Sequence, residues 1–330
     1  MKTKQKPNNF YKKADLKLFL FSYFQKSNFL QKSLLSSLIL ILLITSCTDT
    51  EDPIVETTPE VPEAPALIQP TVLVIDSTDL KDLPADKGGK HTAYPLASTN
   101  SVFGHFVYTP DGYTEDGPEY PLLVFLHGWD ITEYTGTDEE ELNELLLGTT
   151  PPGLIHSGRW KPSTPFIVAS PKLKSDWYWR HDQIHEFIEY LIETYRVNSQ
   201  RIYLTGLSLG GGGAWYYVGE RGEDNYVAAI VPISARGEER IVSNLTKTPI
   251  WAFHGDSDAT VPAYDNFGSF PLVTAINALN PEVKAKVTVF GNTGHDAWSR
   301  VYSNQLAFTQ IQGSTFDVSI YDWLLQFKKE

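Results

Sequence analysis

The most constraining stretch of this 330-residue chain is a strand-like run that meets a serine set between two glycines. Arg201-Ile202-Tyr203-Leu204-Thr205 is β-branched and aromatic enough to form a short strand, and Gly206-Leu207-Ser208-Leu209-Gly210 follows at once. A strand that turns straight into a helix holds the residue at the turn in strained backbone angles, which requires that the residues two before and two after it lack bulk. Gly206 and Gly210 meet that demand. The turn lifts the Ser208 hydroxyl above the sheet edge and leaves the Leu209 amide at a helix N-terminus, where it can donate to a developing oxyanion. Residues 210–213 would read as a flexible linker if polar residues followed, since each glycine costs a helix about 1 kcal/mol relative to alanine. Instead Ala214-Trp215-Tyr216-Tyr217-Val218 follows, so the glycines read as letting a helix pack closely on the sheet.

A serine hydroxyl is a poor nucleophile at neutral pH; it needs a histidine to take its proton and a carboxylate to orient that histidine. Downstream, residues 250–253 read as a buried strand running into His254-Gly255-Asp256-Ser257-Asp258. Residues 283–290 alternate as a strand should and end in Gly291-Asn292-Thr293-Gly294-His295-Asp296. Both carboxylates of the first loop, Asp256 and Asp258, are candidate acids. His295 is the candidate base, because of eight histidines it alone follows the last predicted strand. His127 and His254 sit in His-Gly turns, where hydrogen bonding to backbone is the expected role, and Asp296 reads as a solvated loop residue. Each candidate lies just past the carboxyl end of a strand, where open α/β sheets place their sites.

These segments, with Leu122-Leu123-Val124-Phe125-Leu126-His127-Gly128-Trp129, resemble the α/β-hydrolase superfamily. The likeness covers about residues 100–330. It is nearest to the predicted-peptidase or dienelactone-hydrolase-like esterase branch, close to feruloyl and acetylxylan esterases and polyhydroxybutyrate depolymerases. The resemblance implies an α/β-hydrolase fold, Ser208 as nucleophile, Asp258 rather than Asp256 as orienting acid, and His295 as base. It also implies the backbone amide of Trp129 as second oxyanion donor beside Leu209; the alternative reading of Trp129 is a pocket wall, and the two are compatible.

Strands alternate with helices: residues 120–126, 165–170, 201–205, 227–233, 250–253 and 283–290 are read as strands, which implies a mostly parallel sheet with helices on both faces. Residues 71–75 and 103–110 look like an antiparallel lead-in, the second closing at Pro110-Asp111-Gly112. Ile184, Phe187, Ile188, Leu191 and Ile192 recur at helical spacing and are expected in the core. Residues 321–327 read as a closing helix. The longest loop, residues 129–164, holds an acidic run at 138–141 and a short helix candidate at 142–147 that could form one wall of the site. Trp177, Tyr178 and Trp179 form an aromatic cluster suited either to binding rings or to packing.

The amino terminus differs in kind. Residues 1–33 carry eight lysines and one acid, and residues 34–44 form an apolar core too short for a spanning helix but suited to a signal peptide. Ile44-Thr45-Ser46-Cys47 resembles the bacterial lipobox, and Cys47 is the sole cysteine. Residues 1–46 are therefore expected to be a lipoprotein signal peptide. Residues 47–70, rich in Pro, Glu and Thr, are read as a disordered tether, and residues 71–330 as the catalytic domain. Without residues 1–46 the chain keeps 19 basic against 39 acidic side chains, a net of about −20, which disfavours nucleic acid as a partner. Lipidated Cys47 implies membrane attachment, and Asp49, Glu51 and Asp52 resemble a surface-export signal of double-membraned bacteria, so the outer membrane or cell surface is the expected location. No His, Cys or carboxylate spacing of a metal site occurs, and no cofactor is expected. The expected activity is a serine carboxylesterase acting on small esters or acylated polysaccharide. A serine peptidase with the same triad, and a non-catalytic glycan-binding lipoprotein, are the alternatives.

Overall fold

A computed structural model describes residues 77–131, 139–173, 178–306 and 308–329, and side chains are not described for 139 and 140. The signal peptide, Cys47, the tether, the 71–75 strand, Asp138 and Trp177 lie outside the described residues. Among the described residues nine strands form one sheet: β1 (Lys90–Tyr94), β2 (His105–Thr109), β3 (Tyr120–Leu126), β4 (Ile167–Pro171), β5 (Val197–Leu207), β6 (Ala229–Ile233), β7 (Trp251–Gly255), β8 (Lys286–Phe290) and β9 (Gln310–Gly313). Their order is β1-β2-β4-β3-β5-β6-β7-β8-β9. The six strands from β4 to β8 in that order pair in parallel; β1, β2 and β9 pair antiparallel at the two sides. This is the α/β-hydrolase fold.

The helices are α1 (Glu139–Leu142), α2 (Pro151–His156), α3 (His181–Thr194), α4 (Leu209–Arg221), α5 (Ser269–Ala278), α6 (Trp298–Tyr302) and α7 (Ile320–Leu324). β3 reads Tyr-Pro-Leu-Leu-Val-Phe-Leu and every residue is buried, as a strand covered on both faces must be. Its side chains alternate between two cores. Leu122, Val124 and Leu126 join Ile184, Phe187 and Trp215 on the side of α3, α4 and α5, whereas Leu123 and Phe125 join Val301, Tyr302 and Trp323 on the side of α6 and α7. Period-two alternation in a central strand thus feeds two helix layers at once.

Two strands escape the sequence reading. β1 and β9 are edge strands with half-exposed or exposed residues, Lys-His-Thr-Ala-Tyr and Gln-Ile-Gln-Gly, and lack the burial contrast that makes a strand legible. Among the described residues β2 pairs antiparallel with β1 on one side and with β4 on the other. The closing helix starts one residue before the predicted 321–327, where the Ser319 hydroxyl caps it by accepting from the Asp322 amide at 3.0 Å, and it ends early, at Leu324. The 142–147 segment does not wall the cleft beside Ser208. It continues α1 as a 3-10 turn over Asn143–Leu146, packs Leu142 and Leu145 on Phe106, and is held by buried Lys172, whose Nζ donates to the Glu141 carbonyl and to Glu144 Oε2 at 2.7 Å each. No helix among the described residues is long and apolar enough to cross a membrane.

Candidate active site

The turn at Ser208 is as tight as its glycines require. Ser208 has φ +51° and ψ −117°, and its amide donates to the Ile233 carbonyl of neighbouring β6 at 2.8 Å. A Cβ on Gly206 would strike the Gly210 backbone, and one on Gly210 would strike the carbonyl oxygen of Leu126. The loops after β7 and β8 then bring the other groups in. The Ser208 hydroxyl lies 2.8 Å from His295 Nε2, and His295 Nδ1 lies 2.7 Å from Asp258 Oδ2. With the Nδ1 proton directed at the carboxylate, Nε2 is left as acceptor for the serine proton. Such a relay can deprotonate a hydroxyl as it attacks.

Asp258 is 4% exposed and fully employed. Its Oδ1 accepts from the amides of Thr260 and Val261 at 2.9 Å each, and its Oδ2 faces both His295 and His254. Burial works against its charge, but hydrogen bonds from His254, His295 and the Val261 amide outweigh that and hold the carboxyl well below the usual carboxylate range. Asp256 points elsewhere: its Oδ1 accepts from the Thr293 amide at 3.0 Å and so ties the acid loop to the histidine loop. Of the two carboxylates, only Asp258 meets His295 among the described contacts.

The reading of His254 as a backbone-bonding residue is incomplete. Its Nε2 reaches the Val261 carbonyl at 2.7 Å, yet also stands 3.2 Å from Asp258 Oδ2, and its Nδ1 meets Ser269 Oγ at 2.8 Å. Its position four residues before Asp258 in the same tight loop was the available signal. Asp296 is likewise more than a solvated residue. Its carboxylate accepts from the Ser299 amide at 2.9 Å and hydroxyl at 2.8 Å, which ties the residue after His295 to the first turn of α6. Trp298, the first residue of that helix, meets the His295 ring edge-on at 5.2 Å between centroids.

His127 does bond backbone. The Leu173 amide donates to its Nε2 at 2.9 Å, so Nδ1 carries the proton and donates to the Gly128 carbonyl at 2.7 Å. Burial keeps this imidazole neutral, its pKa pulled down to about 3. It thereby stiffens the loop that presents Trp129, which opens a short 3-10 turn and is 38% exposed. Leu209 is the first residue of α4, with its amide at the helix N-terminus. Trp129, Ser208, Leu209, Tyr178 and Tyr216 line one cleft of about 620 Å³. The aromatic cluster divides: Trp179 is buried and donates from Nε1 to the His127 carbonyl at 3.1 Å, whereas Tyr178 is 57% exposed in the cleft.

A sequence profile of the Esterase family ("Putative esterase") matches residues 97–274, more than half of the chain. The chain belongs to the Esterase family. The matched span includes Ser208 and Asp258, while His295 lies beyond it. No curated protein matches the chain. Among solved structures it is similar in fold to a thermostable esterase, at 22% identity and TM-score 0.53, over 73% of this chain and 63% of that one. It is also similar to a feruloyl esterase module from Clostridium thermocellum complexed with sinapinate, at 17% identity and TM-score 0.50, over 74% of this chain and 89% of that one. The esterase therefore spans less than two thirds of the first of these chains.

Proposed function

We propose that this esterase works by acyl transfer to Ser208, with His295 as general base and acid and Asp258 as the group that orients it. The observation that carries the reading is the unbroken hydrogen-bond path from Ser208 through His295 to Asp258, at 2.8 and 2.7 Å. Ser208 Oγ attacks the ester carbonyl carbon while His295 Nε2 takes its proton, and the carbonyl π electrons move onto oxygen. The amides of Leu209 and Trp129 receive that oxyanion. Collapse re-forms the carbonyl and breaks the bond to the alcohol oxygen, which takes the proton from His295; water then repeats the sequence on the acyl-enzyme and frees the acid.

The substrate class we propose is acylated polysaccharide bearing acetyl or feruloyl groups, hydrolysed by a domain at residues 71–330. The domain is held through lipidated Cys47 on a 47–70 tether after removal of 1–46, at the outer membrane or cell surface. A fluorophosphonate should label Ser208, and Ser208→Ala should abolish labelling and lower ester turnover by about four to six orders of magnitude. Turnover of Ser208→Ala near that of wild type would sink the assignment. Faster cleavage of an amide than of its matched ester would make the enzyme a peptidase instead.

A further inference from the structure

Four glycines open α4, and three are imposed by packing. A Cβ on Gly210 would strike the Leu126 carbonyl, one on Gly211 would lie 2.7 Å from the Ala235 methyl, and one on Gly213 2.7 Å from the Trp179 side chain. Gly212 is different. The nearest atom to a Cβ there is the Arg236 carbonyl oxygen at 3.8 Å, an ordinary contact. Among the described residues nothing requires glycine at this position, and glycine inside a helix is less favourable than alanine. Close approach of a ligand to bare backbone is a physical reason for glycine at such a place.

Gly212 faces the cleft beside Ser208. Ser208, Gly212, Tyr216 and Glu220 follow one another at intervals of four, which places them in a row along α4, and all four line that cleft. At 1.5 Å per residue the row runs about 12 Å from Ser208 to Tyr216. The exposed rings of Trp129 and Tyr178 line the same space. Charged side chains stand at its far end: Arg240 pairs with Glu220 and with Glu238 and lies over the Tyr216 ring at 5.6 Å.

We propose that Gly212 is the specificity-determining position of this cleft, its missing side chain leaving a slot in which a pyranose ring of the ester's alcohol portion lies along α4. The ring directs its hydroxyls to Glu220, Glu238 and Arg240. The inference rests on Ser208 being the nucleophile. A pyranose has CH faces that settle on backbone and aromatic rings and a rim of hydroxyls that several preorganised charges can bind. A hydroxyaryl acid fits the flat part but offers too few hydroxyls for three charged partners.

The test compares kcat/KM on acetylated xylotriose, methyl ferulate and ethyl acetate for wild type, Gly212→Ala and Gly212→Leu. The ratio of acetylated xylotriose to ethyl acetate should fall stepwise, reaching about 20-fold or more in Gly212→Leu as the added side chain fills the slot. Gly212→Ala should melt at or above the wild-type temperature, which separates loss of selectivity from loss of fold. An unchanged ratio, a fall on methyl ferulate as large as on xylotriose, or a wild type active on ethyl acetate but not on acetylated xylotriose overturns the proposal. A wild type that neither hydrolyses ethyl acetate nor takes a fluorophosphonate at Ser208 overturns the nucleophile assignment, and the slot with it.

Discussion

His254 and His295 share one acceptor: Nε2 of the first lies 3.2 Å, and Nδ1 of the second 2.7 Å, from Oδ2 of Asp258. The carboxylate is thus gripped from two sides, and each donor limits the direction from which the other can approach. His254 is itself fixed, because its Nδ1 meets Ser269 Oγ at 2.8 Å, and that hydroxyl also lies 3.0 Å from the Ala235 carbonyl oxygen. It positions the acid without reaching the reacting atoms.

His254→Gln should therefore lower kcat/KM by about 10- to 100-fold, the worth of one hydrogen bond to a charged group. The loss should fall on kcat rather than KM, because the carboxylate acts on the imidazole and not on bound substrate. A rise in KM with kcat unmoved would reduce His254 to a packing residue.

Acid should weaken the fold well before the carboxylates titrate. Burial is the leading cause that holds His91 and His105 down to about 4 and His127 down to about 3, against about 6.5 in an unfolded chain. The unfolded state binds more protons across that window. Each histidine's contribution is then complete above about pH 6.5 and is lost as pH falls toward the folded value, at up to about 1.4 kcal/mol per pH unit. Urea melts at pH 7, 6 and 5 should show falling stability, and His105→Gln should flatten the slope; an equal slope in that variant would refute the attribution.

Gly210→Ala should be costly out of proportion to its single methyl. The new Cβ meets the Leu126 and His127 carbonyl oxygens, which belong to β3 and to the loop of Trp129 and cannot swing aside like a side chain. A destabilisation of about 1–3 kcal/mol is expected, with ester turnover lost by more than the melting temperature suggests because the helix start is displaced. Wild-type kinetics in this variant would contradict the packing described.

Asp79→Asn probes a different part of the sheet. Arg201, fully buried, donates from Nε and Nη2 to Asp79 at 2.6 and 2.8 Å and from Nη1 to the Leu325 carbonyl at 2.8 Å. Asp79 is partly exposed, so the loss should be about 1–3 kcal/mol, below that of a fully buried pair. Turnover at 25 °C should be retained, since Arg201 lies seven residues before Ser208 along β5; a selective loss of kcat would show the two ends of that strand to be coupled.

Cys47→Ser should move the full-length protein from the membrane fraction to the soluble fraction of a double-membraned bacterial host. Equal partitioning of wild type and variant would remove the lipid anchor from the reading.

Much of this was legible because the determining residues are local. The glycines about Ser208 state the turn in five residues, and β3, β4, β6 and β7 are short, mostly apolar runs buried throughout. What stayed hidden is made by distant partners. His254 gains its second role only when the acid loop folds back on it, Asp296 only when Ser299 comes round to meet it, and β1 and β9 only by pairing with strands that already exist. Tyr178 and Trp179 are adjacent in sequence and separated in role by one turn of backbone, which composition cannot register.

Ser208, Asp258 and His295 follow β5, β7 and β8, so the order in which they leave the ribosome is also their order outward across the sheet. On the proposed relay, a nascent chain presents the Ser208 hydroxyl long before the His295 imidazole that it needs has been synthesised. Ester turnover on that proposal is withheld until the last parallel strand has docked, and rate would double as a readout of completed folding.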